Sequence, residues 1–279
     1  MKITGQFRDI NNNIYTVEID NPSVSAAGIV IGEHYNEGDD DLLYFTEEPI
    51  TIDFEFDDLF SVIAMHSATI NLYARDFVGN LLYANNARSV TVLIKKGNDV
   101  IFDGYVEAGT FNQEYSNPYD SFTINCVDKL STLKYYKYKD ITVNNFDNVV
   151  TGLGNVTLHD AINLAFADII GGGHIYYDMS KGLTSTRENL VFDDIRISEQ
   201  VFVGDDYDSV MDNEQMLTEI LRYLNLHIIQ IGSDFYIYDW DSIKKQNTQW
   251  VNLIDNEIHN TNPTKVVLNA DTNASDGTN

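Results

Sequence analysis

The sequence predicts a mainly β chain with an α+β part. Period-2 alternation of apolar and polar residues runs through the first 127 positions, and beyond them two apolar stripes at helical spacing precede a hairpin pattern. Many short strands separated by turn residues favour a barrel or a sandwich over a parallel α/β sheet. A length of 279 residues exceeds one ordinary domain of about 150. The expected division is 1–127 as a β domain, 128–250 as an α+β domain, and 251–279 as an extended polar tail.

Taken in order, Ile52, Phe54 and Phe56 alternate with Thr51, Asp53 and Glu55, the pattern of a strand with one face in a core and one in water. Ala68, Ile70 and Leu72 repeat it, as do Val90, Val92 and Ile94, and then Phe122, Ile124 and Cys126. Turn signals fall between these runs: Asn11 to Asn13, Gly38, Gly79-Asn80, Asn85-Asn86, Gly97-Asn98 and Asn117-Pro118. After Val127 the period changes. Asp128 is placed to cap a short helix with Leu130, Leu133 and Tyr136 on one face.

In the second portion Thr157 and Asp160 form a capping-box-like start, and Leu158, Ala161, Ile162, Ala165, Phe166 and Ile169 give a helical stripe. Gly171 to Gly173 must end that helix. Leu190 to Val203 reads as one or two strands. A second helix starts after Asp212 or Asn213, with Met216, Leu217, Ile220, Leu221 and Leu224 as its apolar face. Leu226 to Ile231 and Phe235 to Tyr238 then make a hairpin around Gly232-Ser233. After Trp250 the chain turns polar, and Ala270 to Asn279 has the composition of a flexible tail.

Charge and motifs narrow the function classes. With 17 basic against 43 acidic residues the formal net charge is -26, which repels phosphate backbones and anionic lipid. No run reaches the roughly 18 apolar residues of a membrane span, and the N-terminal MKITGQFRDI lacks the apolar core of a secretory signal. The expectation is a soluble protein made in a cytoplasm. Glu33, Glu37 and Asp39 to Asp41 offer hard oxygen ligands, but a run of like charges reads first as a solvated loop. Asp9, Asn11, Asn13 and Asp20 mimic part of a calcium loop. Ile14 stands where glycine is needed and the bidentate glutamate is missing, so a hairpin turn is the better reading. Asp205, Asp206 and Asp208 cluster ahead of the second helix, where carboxylates favour the positive end of its dipole.

Histidines 34, 66, 159, 174, 227 and 259 show no zinc-enzyme spacing, and the glycine triplet follows a helix rather than opening one, unlike a phosphate loop. No G-x-S-x-G elbow occurs. Cys126, the one cysteine, lies on an apolar phase and reads as a buried structural thiol. Paired carboxylates for glycan cleavage stay open, because their separation exists only in the fold. No catalytic, cofactor-binding or metal-ligating residue is assigned. Tyr35, Tyr44, Tyr119, Tyr135, Tyr136 and Tyr138 lie in or near loops, as interface anchors, sugar platforms or partly buried strand-edge residues.

The block from His66 to Ile141 carries a resemblance. HSATINLYARDFVGNLLYANNARSV, VIFDGYVEAGTFNQEY and SFTINCVDKLSTLKYYKYKDI, with the later EQMLTEILRYLNLHIIQIGSDFYIYDWDSI, resemble bacteriophage tail hub (baseplate hub) proteins of tailed phages and prophages of gut Bacteroidales. The resemblance implies a β-barrel of the tail-tube and tail-hub type plus a smaller helix–hairpin domain. It also implies a non-enzymatic virion protein, assembled in the bacterial cytoplasm as a homo-oligomeric ring of three or six. Such a ring joins the tail tube to tip, fibre or spike proteins and lines a DNA exit channel that passes DNA without specific binding. No cofactor is implied. The rival reading is a tail-associated carbohydrate-binding module, and a third is a glycan-cleaving enzyme.

Overall fold

The computed structural model describes residues 1–34, 41–55, 61–110, 112–113, 120–138, 154–178, 195–203, 210–240, 250–254 and 258–259. They divide into two compact units, Met1–Lys137 with Asp212–Glu214, and Tyr138–Met211 with Gln215–Asn279. The first unit holds β1 (Lys2–Arg8), β2 (Ile14–Asp20), β3 (Ile29–Gly32), β4 (Leu43–Glu55), β5 (Ile63–Ala74), α1 (Gly79–Leu82), β6 (Thr91–Lys96), β7 (Asp99–Val106) and β8 (Asp120–Asp128). The strands close into an eight-stranded barrel in the order β1-β2-β6-β7-β8-β5-β4-β3, with β3 back beside β1.

Alternation fills the barrel. Ile3, Val17, Ile19, Ile31, Leu43, Ile70, Leu72, Val92, Ile94 and Ile124 are all at most 2% exposed, so each strand sends every second side chain inward. At roughly 25 cal/mol per Å2 of apolar area removed from water, this shared interior is what holds the barrel closed. Gly5 is required for its packing: a Cβ there would lie 2.6 Å from Ile31 Cβ and 2.8 Å from the Phe45 ring.

Among the described residues, three of the four turn signals fall where the sequence puts them. Asp9 Oδ1 accepts the backbone N–H groups of Asn11 and Asn13, and Asn12 adopts φ 64, so the calcium-loop mimic is a side-chain-stapled hairpin turn. Gly79-Asn80 differs. It opens the single helical turn α1, because Leu82 and the adjacent Val78 and Ala84 are drawn into the barrel core. Gly38 and Asn117-Pro118 lie outside the described residues.

After β8, Asp128 Oδ1 accepts from both the N–H and the hydroxyl of Ser131, capping a 3-10 helix at Leu130–Tyr135, while its Oδ2 accepts the His66 N–H. Arg88 lies over the Tyr136 ring at 3.7 Å and donates to Thr132 Oγ1.

The second unit holds β9 (Asn155–Thr157), α2 (Leu158–Phe166), β10 (Ile175–Asp178), β11 (Arg196–Ser198), α3 (Gln200–Val203), α4 (which begins in the first unit; Asn213–Tyr223), β12 (His227–Ile231), β13 (Asp234–Tyr238), β14 (Trp250–Asn252) and β15 (Ile258–His259). Its main sheet runs β15-β14-β10-β13-β12, with β10 and β13 parallel. β9 and β11 form a separate pair. Thr157 caps α2 by accepting the Asp160 N–H, and Phe166 meets Phe235 edge to face at 4.8 Å.

Two local expectations change here. Part of Leu190 to Val203 is helical: α3 turns Phe202 and Val203 inward, where Phe202 packs on the Tyr138 ring at 5.1 Å. The polar stretch from 251 begins with structured chain, for Val251, Asn252 and Leu253 are buried and β14 pairs with β10.

Candidate functional site

The sequence assigned no chemical site, and among the described residues no three His, Cys, Asp or Glu side chains gather as metal ligands. Cys126 is buried, and burial followed by the Glu107 charge pushes its thiol well above the usual range, which leaves it unreactive. Glu33 Oε1 accepts the Arg8 N–H, and Asp41 N–H donates to the Tyr44 hydroxyl. Glu37, Asp39, Asp40, Asp205, Asp206 and Asp208 lie outside the described residues.

Three histidines make structural contacts. His159 Nε2 sits 2.6 Å from the Leu253 carbonyl, His174 pairs with Asp234 at 3.1 Å, and His227 is buried against Tyr238 and Trp240. Of the tyrosines, Tyr44 and Tyr138 are buried core residues, whereas Tyr135 is exposed. Tyr138 donates to Glu199 Oε1, and Glu199 Oε2 also accepts the Gly154 N–H. Tyr35 and Tyr119 lie outside the described residues.

Two surfaces of the first unit stand out. The first is the distal half of the β4–β5 hairpin. The register pairs Ile50 with Ile70, Ile52 with Ala68 and Phe54 with His66, so the apolar face of the barrel wall continues along both strands. On β5 the burial continues, with Ala68 1% and His66 9% exposed, but on β4 it does not: Ile52 is half-buried and Phe54 is 57% exposed, so the expectation that Ile52, Phe54 and Phe56 share one core-facing side fails at Phe54, while Phe56 lies outside the described residues. Phe54 packs edge-on against the His66 ring at 4.3 Å, and burial lowers His66 to about 4.

The second is a cleft of about 850 Å3 lined from β1, β2, β4, β5 and β7. β3 pairs with β1 only from Ile3 to Gly5 and with β4 only at Leu43 and Tyr44, both in parallel. β3 ends at Gly32, and residues 35–40 lie outside the described residues. Phe7 and Phe45 meet at 5.0 Å on the cleft lining, with Tyr15, Ile50, Ile52 and Ile101 around them and Arg8, Asp9, Glu33, His34 and Glu47 at the polar margin. The bulge between Phe45 and Ile50 carries β4 past this opening. Sequence reading missed the cleft because it depends on where β3 stops, and three register pairs are not visible as a pattern.

The sequence matches no protein-family model and no curated protein. Solved structures similar to it include a tail protein from Neisseria meningitidis MC58, at 13% identity over 70% of this chain and 47% of that one, with TM-score 0.39. The 43 kDa tail protein of prophage MuSo2 from Shewanella oneidensis is 13% identical over 62% and 46%, with TM-score 0.35. Prophage tail protein gp18 from Listeria monocytogenes EGD-e is 10% identical over 70% and 45%, with TM-score 0.38. The chain therefore spans less than half the length of each. Among the described residues no helix is long and apolar enough to cross a membrane.

Proposed function

We propose that this chain is a structural component of a phage virion tail. It is a hub protein that assembles with copies of itself as a ring of three or six, joins the tube to distal tip, fibre or spike proteins, and lines a channel through which DNA leaves. One observation carries the assembly reading: the β4–β5 hairpin extends the apolar face of the barrel to Phe54, which remains 57% exposed. A large aromatic at the end of an apolar strand face is the kind of anchor that interfaces bury. The resemblance of the block from His66 to Ile141 supplies the tail context. A net charge of -26 suits a wall along which a polyanion slides without adhering.

The second reading is a glycan-binding module, which needs exposed aromatic platforms: Tyr44 and Tyr138 lie in the core, while Tyr83, Tyr135 and Tyr223 are exposed. Electron microscopy of the assembled particle tests the hub reading. Density for this chain in a closed ring around the tail axis is the expected result. A peripheral position on a fibre or capsid would contradict it.

A further inference from the structure

We propose that Lys134, Tyr135 and Lys137, with Arg88 stacked beside them, form a cationic patch that docks on the acidic surface of a second copy of this chain. This deepens the ring reading and takes from it only that copies meet. Residues 129–138 hold three lysines, three tyrosines and no acidic residue, in a chain with 43 acidic side chains against 17 basic ones. The run reverses the sign of the rest of the sequence.

The fold buries the apolar part of this run and turns the charged part outward. In the 3-10 helix Leu130, Ser131, Thr132 and Leu133 are buried, while Lys134 and Lys137 are exposed and Tyr135 is 55% exposed. Lys129 differs, for Asp103 holds its ammonium at 2.7 Å. Lys134 Nζ lies 5.3 Å from the centre of the Tyr135 ring, and the Arg88 guanidinium lies 3.7 Å from that of Tyr136. Each ring face restrains a cation, so less side-chain entropy is lost when a partner arrives. Two carboxyls are near: the Lys137 backbone pairs with Asp212, and Glu214 lies within Coulombic reach of Lys134 and Asp212. Arg88, Lys134 and Lys137 outnumber them, and the patch stays positive.

Charge and composition select the occupant. Three cations are few for DNA, where strongly salt-dependent binding draws on about six to ten phosphate contacts. A protein interface needs fewer charges, and it favours the Tyr and Arg that Tyr135 and Arg88 supply. Net repulsion between copies is screened beyond about 8 Å at physiological ionic strength, so the pairing of this patch with facing carboxylates outweighs the -26 spread over the chain. A two-fold contact centred on the patch would set Lys134 against its own equivalent. The contact therefore joins unlike faces, the kind that closes into rings.

Sedimentation equilibrium of the full chain up to about 1 mM tests this, beside carbodiimide cross-linking of lysine to carboxyl in a mixture of isotope-labelled and unlabelled chains. The expected result is self-association that weakens about tenfold or more in the double variant Lys134→Glu with Lys137→Glu, and in roughly 1 M salt, where screening sets in at about 3 Å. Mixed-isotope cross-links should run from Lys134 or Lys137 to Asp or Glu. Both lysines are exposed, circular dichroism checks the fold, and Lys134→Gln with Lys137→Gln should give a smaller loss in the same direction. The proposal is overturned by no association at that concentration, by association unchanged in the folded variants, or by cross-links from these lysines within one chain only. Binding of a labelled DNA duplex that the same variants abolish would also overturn it, by making a polyanion the occupant. Association of the expected kind in a protein that electron microscopy finds in no ring would sink the ring reading and support the pairwise contact alone.

Discussion

The two halves of the β4–β5 hairpin share strands and alternation, with a register shift between Phe45 and Ile50, yet differ in what covers β4. In the barrel half, Leu43, Phe45, Ile70 and Leu72 are at most 2% exposed. In the distal half β5 stays buried at Ala68 and His66, whereas on β4 the same face ends on Phe54 at 57%. Period-2 alternation therefore identifies a strand and its apolar side, but the cover comes from elsewhere. In the barrel half it is the opposite wall of the same chain. In the distal half, on the reading proposed above, it is another subunit.

Stability measurements separate the halves. Ile70→Ala removes buried methylenes from a closed interior and is expected to cost about 4 kcal/mol in urea denaturation. A loss below about 1 kcal/mol would mean that the barrel interior relaxes as freely as the hairpin end. The distal half responds to pH through His66, which pairs with Phe54. Because burial lowers His66 to about 4 from 6.5, the unfolded chain takes up a proton there before the folded one does. Stability carried by neutral His66 is present above pH 6.5 and is lost as pH falls toward 4, by about 3 kcal/mol in all. His66→Leu is expected to flatten the stability profile across that window, and an unchanged slope would show that the imidazole is solvated. The smallest effect belongs to Phe54→Ala, whose cost in the isolated chain should be within about 0.5 kcal/mol. A larger loss would mean that Phe54 is core after all.

The strands around Ala68, Val92 and Ile124 were legible because each alternates with one face in the barrel. α2, α4 and the hairpin of β12 and β13 were legible from spacing and caps. β10 was missed because Ile175 to Asp178 is buried on both faces and does not alternate. α3 was missed because four residues are too few to show a period, and β14 because Asn252 makes a buried strand look polar. No candidate surface was legible in the sequence, since an exposed Phe54 and a buried Phe45 carry the same pattern.

The claim that the distal hairpin is an assembly surface is tested most directly by thiol labelling of Phe54→Cys. Cys126, the one natural cysteine, is buried with its thiol held protonated, so the new thiol is the only reactive one in the folded chain. Maleimide should modify it rapidly in the isolated protein and at least about tenfold more slowly in the assembled particle. Equal rates in the two states would contradict the account.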